Sequence, residues 1–138
     1  MALGAYPFLR MPEYPNREPS WYAFVVQFIQ TKANGVSIDQ FVRALVAEGL
    51  VEVDRPKSTG PVHCLPLFST PHLILPRLYG NTIKRVETFE NAKAFYGNAI
   101  KLPVWAFPED AAVVQKYIEG FQKVADVVVR QPELLRGI

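Results

Sequence analysis

The sequence predicts an α/β protein: a two-layer sandwich with a small antiparallel or mixed sheet and helices packed on one face. Three observations predict it. Trp21 to Gln30 alternates apolar side chains as a strand does. Ser37 to Gly49 carries the start and stop signals of a helix around an apolar stripe. Ile100 to Arg130 passes from strand chemistry to helix chemistry within one short run. A chain of 138 residues is long enough to bury its own core.

Taken in order, residues 1–19 hold Pro7, Pro12, Pro15 and Pro19 among aromatics, which predicts an extended N-terminal arm. The α/β layer then spans 20–138. In the Trp21–Gln30 strand, Trp21, Ala23, Val25 and Ile29 share one face, and Tyr22, Phe24, Val26 and Phe28 the other. Both faces are apolar, so the strand is expected to be central and covered on both sides. Asn34-Gly35 signals a turn. Ser37-Ile38-Asp39-Gln40 matches a capping box, Ile38, Phe41, Val42, Leu45 and Val46 form the buried stripe, and Gly49 ends the helix. A short strand over Leu50 to Val53 is expected next. Residues 54–78 hold Pro56, Pro61, Pro66, Pro71 and Pro76 and read as an irregular segment with no repeat. Residues 90–99 read as a short helix with Ala92, Phe95 and Tyr96 packed. Leu102 to Phe107 is expected as a strand beginning at a proline. Pro108-Glu109-Asp110 then opens a helix whose stripe is Val114, Tyr117, Phe121, Val124 and Val128.

Composition narrows the function classes. The chain is 49% apolar and 20% charged, with a formal net charge of +2, and its basic residues are dispersed. Nucleic-acid binding is therefore not expected, since phosphate tracking needs a concentrated basic face. No apolar run reaches the ~18 residues of a membrane span. The first residues lack the basic start and apolar length of a signal peptide. Cys64 is the sole cysteine, so no internal disulfide is expected and a cytoplasmic location is.

The chemistry-bearing residues are few. His63-Cys64 suggests a nucleophile and base, but neighbours in an extended segment point to opposite sides. His63 with His72 lacks a third metal ligand at a recognisable spacing. Helix N-terminal charge compensation accounts for Glu109 and Asp110. There is no G-x-G-x-x-G, Walker or G-x-S-x-G motif. Trp105 and Phe107 read as core. The best candidate for ligand contact is Arg55, Lys57, Ser58, Thr59 and His63, a group of cations and hydroxyls suited to a carboxylate or a polyhydroxylated ring. A solvated loop is the competing reading. No catalytic, cofactor-binding or metal-ligating residue is assigned.

The order of pieces is itself informative. Ser20-Trp21-Tyr22-Ala23-Phe24-Val25-Val26 comes first, then a helix with Phe41, Ala44, Leu45, Glu48, Gly49 and Leu50. Pro61-Val62-His63-Cys64-Leu65-Pro66-Leu67-Phe68 follows, then Asn91 to Tyr96 and Lys101-Leu102-Pro103-Val104-Trp105 before a terminal helix. Over residues 15–128 this resembles the C-terminal small domain of DegT/StrS sugar aminotransferases, fold-type I pyridoxal-phosphate enzymes. Val53 to Phe68 looks most like the branch that aminates cyclitols or keto-sugars for aminoglycoside-type antibiotics. The resemblance implies a small domain that closes over cofactor held by a larger N-terminal domain of about 250 residues. The Schiff-base lysine, the aspartate on the pyridine nitrogen, the stacking aromatic and the phosphate loop all belong to that missing domain. It implies a homodimer as the full enzyme, glutamate or glutamine as amino donor, and an isolated chain that holds no cofactor and is inactive. His63 stands where the family has a histidine near the substrate entrance. The alternative is a non-enzymatic interaction module derived from the same domain.

Overall fold

Alternation at Phe24–Phe28 and the apolar run Ala99–Leu102 make two strands that pair directly, although about seventy residues separate them in sequence. In the computed structural model, which describes residues 2–16, 18–56, 60–80 and 88–138, the strands are β1 (Leu9–Arg10), β2 (Phe24–Phe28) and β3 (Ala99–Leu102). The helices are α1 (Ile38–Ala47), α2 (Pro66–Ser69), α3 (Pro71–Ile74), α4 (Pro76–Tyr79), α5 (Glu90–Asn98), α6 (Ala111–Arg130) and α7 (Glu133–Arg136). The protein is mixed α/β, and its three-stranded sheet is antiparallel throughout in the order β1-β2-β3. Two compact units divide the chain: residues 1–55 with 98–138, and residues 56–97. No helix among the described residues is long and apolar enough to cross a membrane.

In the first unit, register decides the faces. Phe24 opposes Leu102, Val26 opposes Ile100 and Phe28 opposes Leu9, so all six side chains share one face. That face meets α1 and α6 in an aromatic cluster. Phe41 has ring centroids 5.3 Å from Phe28, 5.8 Å from Phe8 and 6.0 Å from Phe121, and all four rings are buried. The opposite face carries Val25, Gln27, Ala99 and Lys101 and is only partly apolar. The strand is also shorter than its sequence suggests: it starts at Phe24, and Tyr22 is 92% exposed. Residues 1–19 are not simply an arm, since Phe8 and Leu9 are core residues and β1 is an edge strand.

The helix ends follow their sequence signals. The Ser37 hydroxyl accepts from the Gln40 amide at 3.2 Å, and the Ser37 amide donates to Gln40 Oε1 at 2.8 Å. At the other end Gly49, with φ +93°, lets the Gly49 amide reach Val46 O and the Leu50 amide reach Leu45 O, both at 3.0 Å. That left-handed stop needs glycine. The buried stripe is Ile38, Phe41, Ala44 and Leu45; Ala44 takes the place expected of Val46, which is 41% exposed. Ser37→Ala is expected to cost about 1 kcal/mol, read as a lower urea midpoint at unchanged slope.

Two strand expectations are corrected. Leu50 to Val53 is a turn, closed by the Val53 amide on Leu50 O at 3.1 Å, and pairing is confined to a single bridge between Asp54 and Lys101. The C-terminal strand lies at Ala99–Leu102 and ends where Pro103 begins, because proline has no amide to continue the ladder. Pro108 starts a 3₁₀ turn that leads into α6. Phe121, Val124 and Val128 of the expected stripe are buried there together with Ala125. The N-terminal segment is tied to this helix by the Tyr6 hydroxyl, which donates to Asp126 Oδ1 at 2.9 Å. Burial first, and then Asp126, raises the Tyr6 pKa above 10.0. The stability linked to this proton is complete below pH ~10 and is lost as pH rises through the folded value. Tyr6→Phe is therefore expected to remove a late-ionising tyrosine from an alkaline absorbance titration and to flatten the alkaline limb of the stability curve.

In the second unit the prolines turn out to be a repeat. Pro61, Pro66, Pro71 and Pro76 recur every five residues, and the last three each open a one-turn helix. The amides of Thr70, Leu75 and Gly80 close these turns on Pro66 O, Pro71 O and Pro76 O at 2.9, 2.7 and 2.8 Å. Proline suits the first helical position, where its missing amide has no partner to lose. Each turn leaves apolar side chains outside: Leu73 is 71% and Leu78 77% exposed. The expected helix forms as α5, but it buries no residue; Ala92 and Phe95 are exposed, and Tyr96 is half-buried.

Candidate functional site

The loop group nominated by sequence is divided by the fold. Arg55 ends the first unit, and its Nη1 donates to Asp39 Oδ1 in the first turn of α1 at 2.6 Å. Asp39 is largely exposed, so this is a surface ion pair of small energetic weight. The Arg55 amide donates to Asp54 Oδ1 at 2.7 Å. Lys57, Ser58 and Thr59 lie outside the described residues. His63 belongs to the second unit, in a 3₁₀ turn over Val62–Cys64. Its ring stands edge-on to Phe89 at 4.9 Å.

His63 Nε2 is buried and has no hydrogen-bond partner among the described residues; the same holds for His72 Nδ1. A buried imidazole nitrogen is ordinarily hydrogen-bonded. Cys64 beside it is exposed. No group of three metal-ligating side chains occurs among the described residues. Asp110 Oδ2 accepts from the Phe107 amide at 3.3 Å, so that carboxylate serves the helix start. Phe107, expected in the core, is 71% exposed, because the chain leaves the sheet at Pro103.

A cavity of about 450 Å³ lies within the first unit, and sequence reasoning missed it. The sheet contributes Phe24 and Leu102, and α6 contributes Val114, Tyr117, Ile118 and Phe121. Pro103-Val104-Trp105 and the N-terminal residues Leu3, Met11 and Trp21 complete the wall. Trp105 stands edge-on to Tyr117 at 4.7 Å. The Tyr117 hydroxyl accepts from the Glu52 amide and donates to Glu52 Oε2, both at 3.4 Å. Burial raises the Tyr117 pKa, and the Glu52 carboxylate adds to the rise while the Glu52 amide opposes it. Pro103 and the two tryptophans were the signals available in sequence. A strand continued through Phe107 would bury alternate residues, whereas the chain turns away at Pro103.

Pyridoxal phosphate, the cofactor the resemblance implies, does not fit this cavity. Among the described residues its wall has no lysine to bind the aldehyde and no cluster of donors to hold a phosphate. No protein-family model matches the chain, and no curated protein matches it.

Proposed function

We propose that this chain is the small domain of a DegT/StrS-type aminotransferase that aminates a keto-sugar or cyclitol once joined to a large domain. The observation that carries the reading is the arrangement of α1 and α6 on one face of the sheet, with residues 56–97 leaving after α1 and returning at β3. The order of motifs on which the resemblance rests supports the same reading. Pyridoxal phosphate, held by the large domain, would supply the electron sink for amino transfer. This chain's part is to close the site and to select substrate. Arg55, in the first unit, offers a guanidinium that can exchange Asp39 for a carboxylate or ring hydroxyl; His63, taken by itself in the second unit, offers a buried nitrogen that has no hydrogen-bond partner among the described residues. Lys57, Ser58 and Thr59 belong to the same candidate group by sequence position alone.

Two measurements test this. The isolated chain, mixed with pyridoxal phosphate and reduced with borohydride, is expected to give no stoichiometric adduct; such an adduct would show a cofactor lysine within the chain and refute the reading. The gene product that includes the reading frame upstream of Met1 is expected to aminate a keto-sugar or cyclitol with glutamate or glutamine. Failure across both acceptor classes, or a frame without a lysine-bearing domain, overturns it.

A second reading, an interaction module, is favoured by the exposed leucines of the proline turns. It requires concentration-dependent self-association or a stable protein partner for the isolated chain. A strictly monomeric chain without a partner counts against it.

A further inference from the structure

The cavity of the first unit invites a different question from the substrate loop, because its wall has another chemistry. We propose that it is a binding site for an uncharged aromatic or alicyclic small molecule of about two to three fused rings, an assignment independent of the aminotransferase reading.

Size is the first argument. A cavity of about 450 Å³ falls within the ~300–1,000 Å³ of small-molecule sites, and a cavity of about 150 Å³ accommodates benzene. Packing is the second. Protein interiors fill to near-crystalline density, and α6 does so at Val124, Ala125 and Val128, which are buried and lie outside the cavity wall. In its N-terminal half the same helix leaves space beside Val114, Tyr117 and Ile118.

The wall then selects the ligand class. Among the described residues no lysine, arginine, histidine, aspartate or glutamate lines the cavity, so a charged group entering it gives up hydration without meeting a counter-charge from them. The one hydroxyl, Tyr117, is tied to the Glu52 carboxylate, which disfavours an anion further. Five lining residues are aromatic: Trp21, Phe24, Trp105, Tyr117 and Phe121. Their rings offer the faces and edges that planar or alicyclic apolar molecules contact best.

Fluorescence reads this site directly, because both tryptophans of the chain line it. The probe is N-phenyl-1-naphthylamine, which is uncharged, compared with its sulfonated analogue, 8-anilino-1-naphthalenesulfonate. The expected result is saturable binding of one uncharged probe per chain, loss of tryptophan emission by energy transfer, and displacement by unlabelled naphthalene. The sulfonated probe is expected to bind at least about tenfold more weakly. Ile118→Trp and Val104→Trp, on different elements, narrow the cavity with a bulky ring and are each expected to weaken binding at least about tenfold. Leu73→Ser, on the exposed turns of the second unit, is expected to leave it unchanged. Folding of each variant is checked by circular dichroism, and the wild-type titration decides even if a variant fails to fold. The proposal is overturned by absence of saturable binding, by binding without tryptophan quenching, or by equal affinity for the two probes. It is also overturned if both narrowed variants fold and bind normally, or if sedimentation shows a dimer that Ile118→Trp abolishes, since the cavity would then be an interface between copies.

Discussion

Phe41→Ala is expected to remove about 4 kcal/mol of stability and to lower the melting temperature by roughly 15 °C. Phe41 is fully buried and is the one ring that touches Phe8, Phe28 and Phe121 together. It thus joins the N-terminal segment, the central strand and α6 through α1. Truncation deletes the transfer free energy of the ring and three edge or tilted aromatic contacts. It also leaves a hole that surrounding rigid rings cannot close. Urea unfolding followed by far-ultraviolet dichroism checks the size of the loss. Val51→Ala, at a residue 72% exposed, is the control and is expected to stay within about 0.5 kcal/mol. A loss below about 2 kcal/mol at Phe41 would mean that the cluster is not the centre of the core.

Gly120→Leu is the second large effect, expected at about 3 kcal/mol through overpacking. Glycine in a helix interior costs about 1 kcal/mol relative to alanine, so its presence in α6 requires a reason. The reason is Leu50, buried beneath the helix. A Cβ at position 120 would overlap Leu50 Cδ1 and meet Cδ2 at 3.2 Å and Cγ at 3.3 Å. Turning one methyl away does not clear the branch carbon. Gly120→Ala is accordingly expected to bring no gain in the native background, where the contact cancels the helix propensity. In a Leu50→Ala background the same change is expected to stabilise by about 1 kcal/mol. The inversion of sign is the diagnostic, and additive values in the double-mutant cycle would dispose of this account.

How much of this was legible depended on how local each signal was. The capping box of Ser37 and Gln40, the Gly49 stop and the proline start before α6 are all satisfied by residues within five positions, and each formed as read. Strand boundaries were less legible. Leu50 and Val53 are both buried, but a turn, not a pleat, directs them inward. Asn98 and Ala99 pass from α5 into β3 without a turn residue between them. The five-residue proline period does not by itself announce helices, because a one-turn helix is too short to show an apolar periodicity of its own. The candidate loop was legible as chemistry only, since the Asp39 partner of Arg55 is supplied by the placement of α1. The cavity was illegible for the same reason on a larger scale: its wall comes from five separate segments, and no one of them announces an empty space.

The pairing of β2 with β3 also has a consequence for how the chain reaches this state. A ribosome adding about 5–20 residues per second needs roughly four to fourteen seconds to travel from Phe28 to Ala99. Throughout that interval the nascent β2 has one flank hydrogen-bonded at most to two residues of β1, and its Phe24, Val26 and Phe28 have neither α6 nor β3 to cover them. The most apolar strand is therefore born early and sheltered late, and it is the segment on which chaperone capture or premature intermolecular pairing would first act.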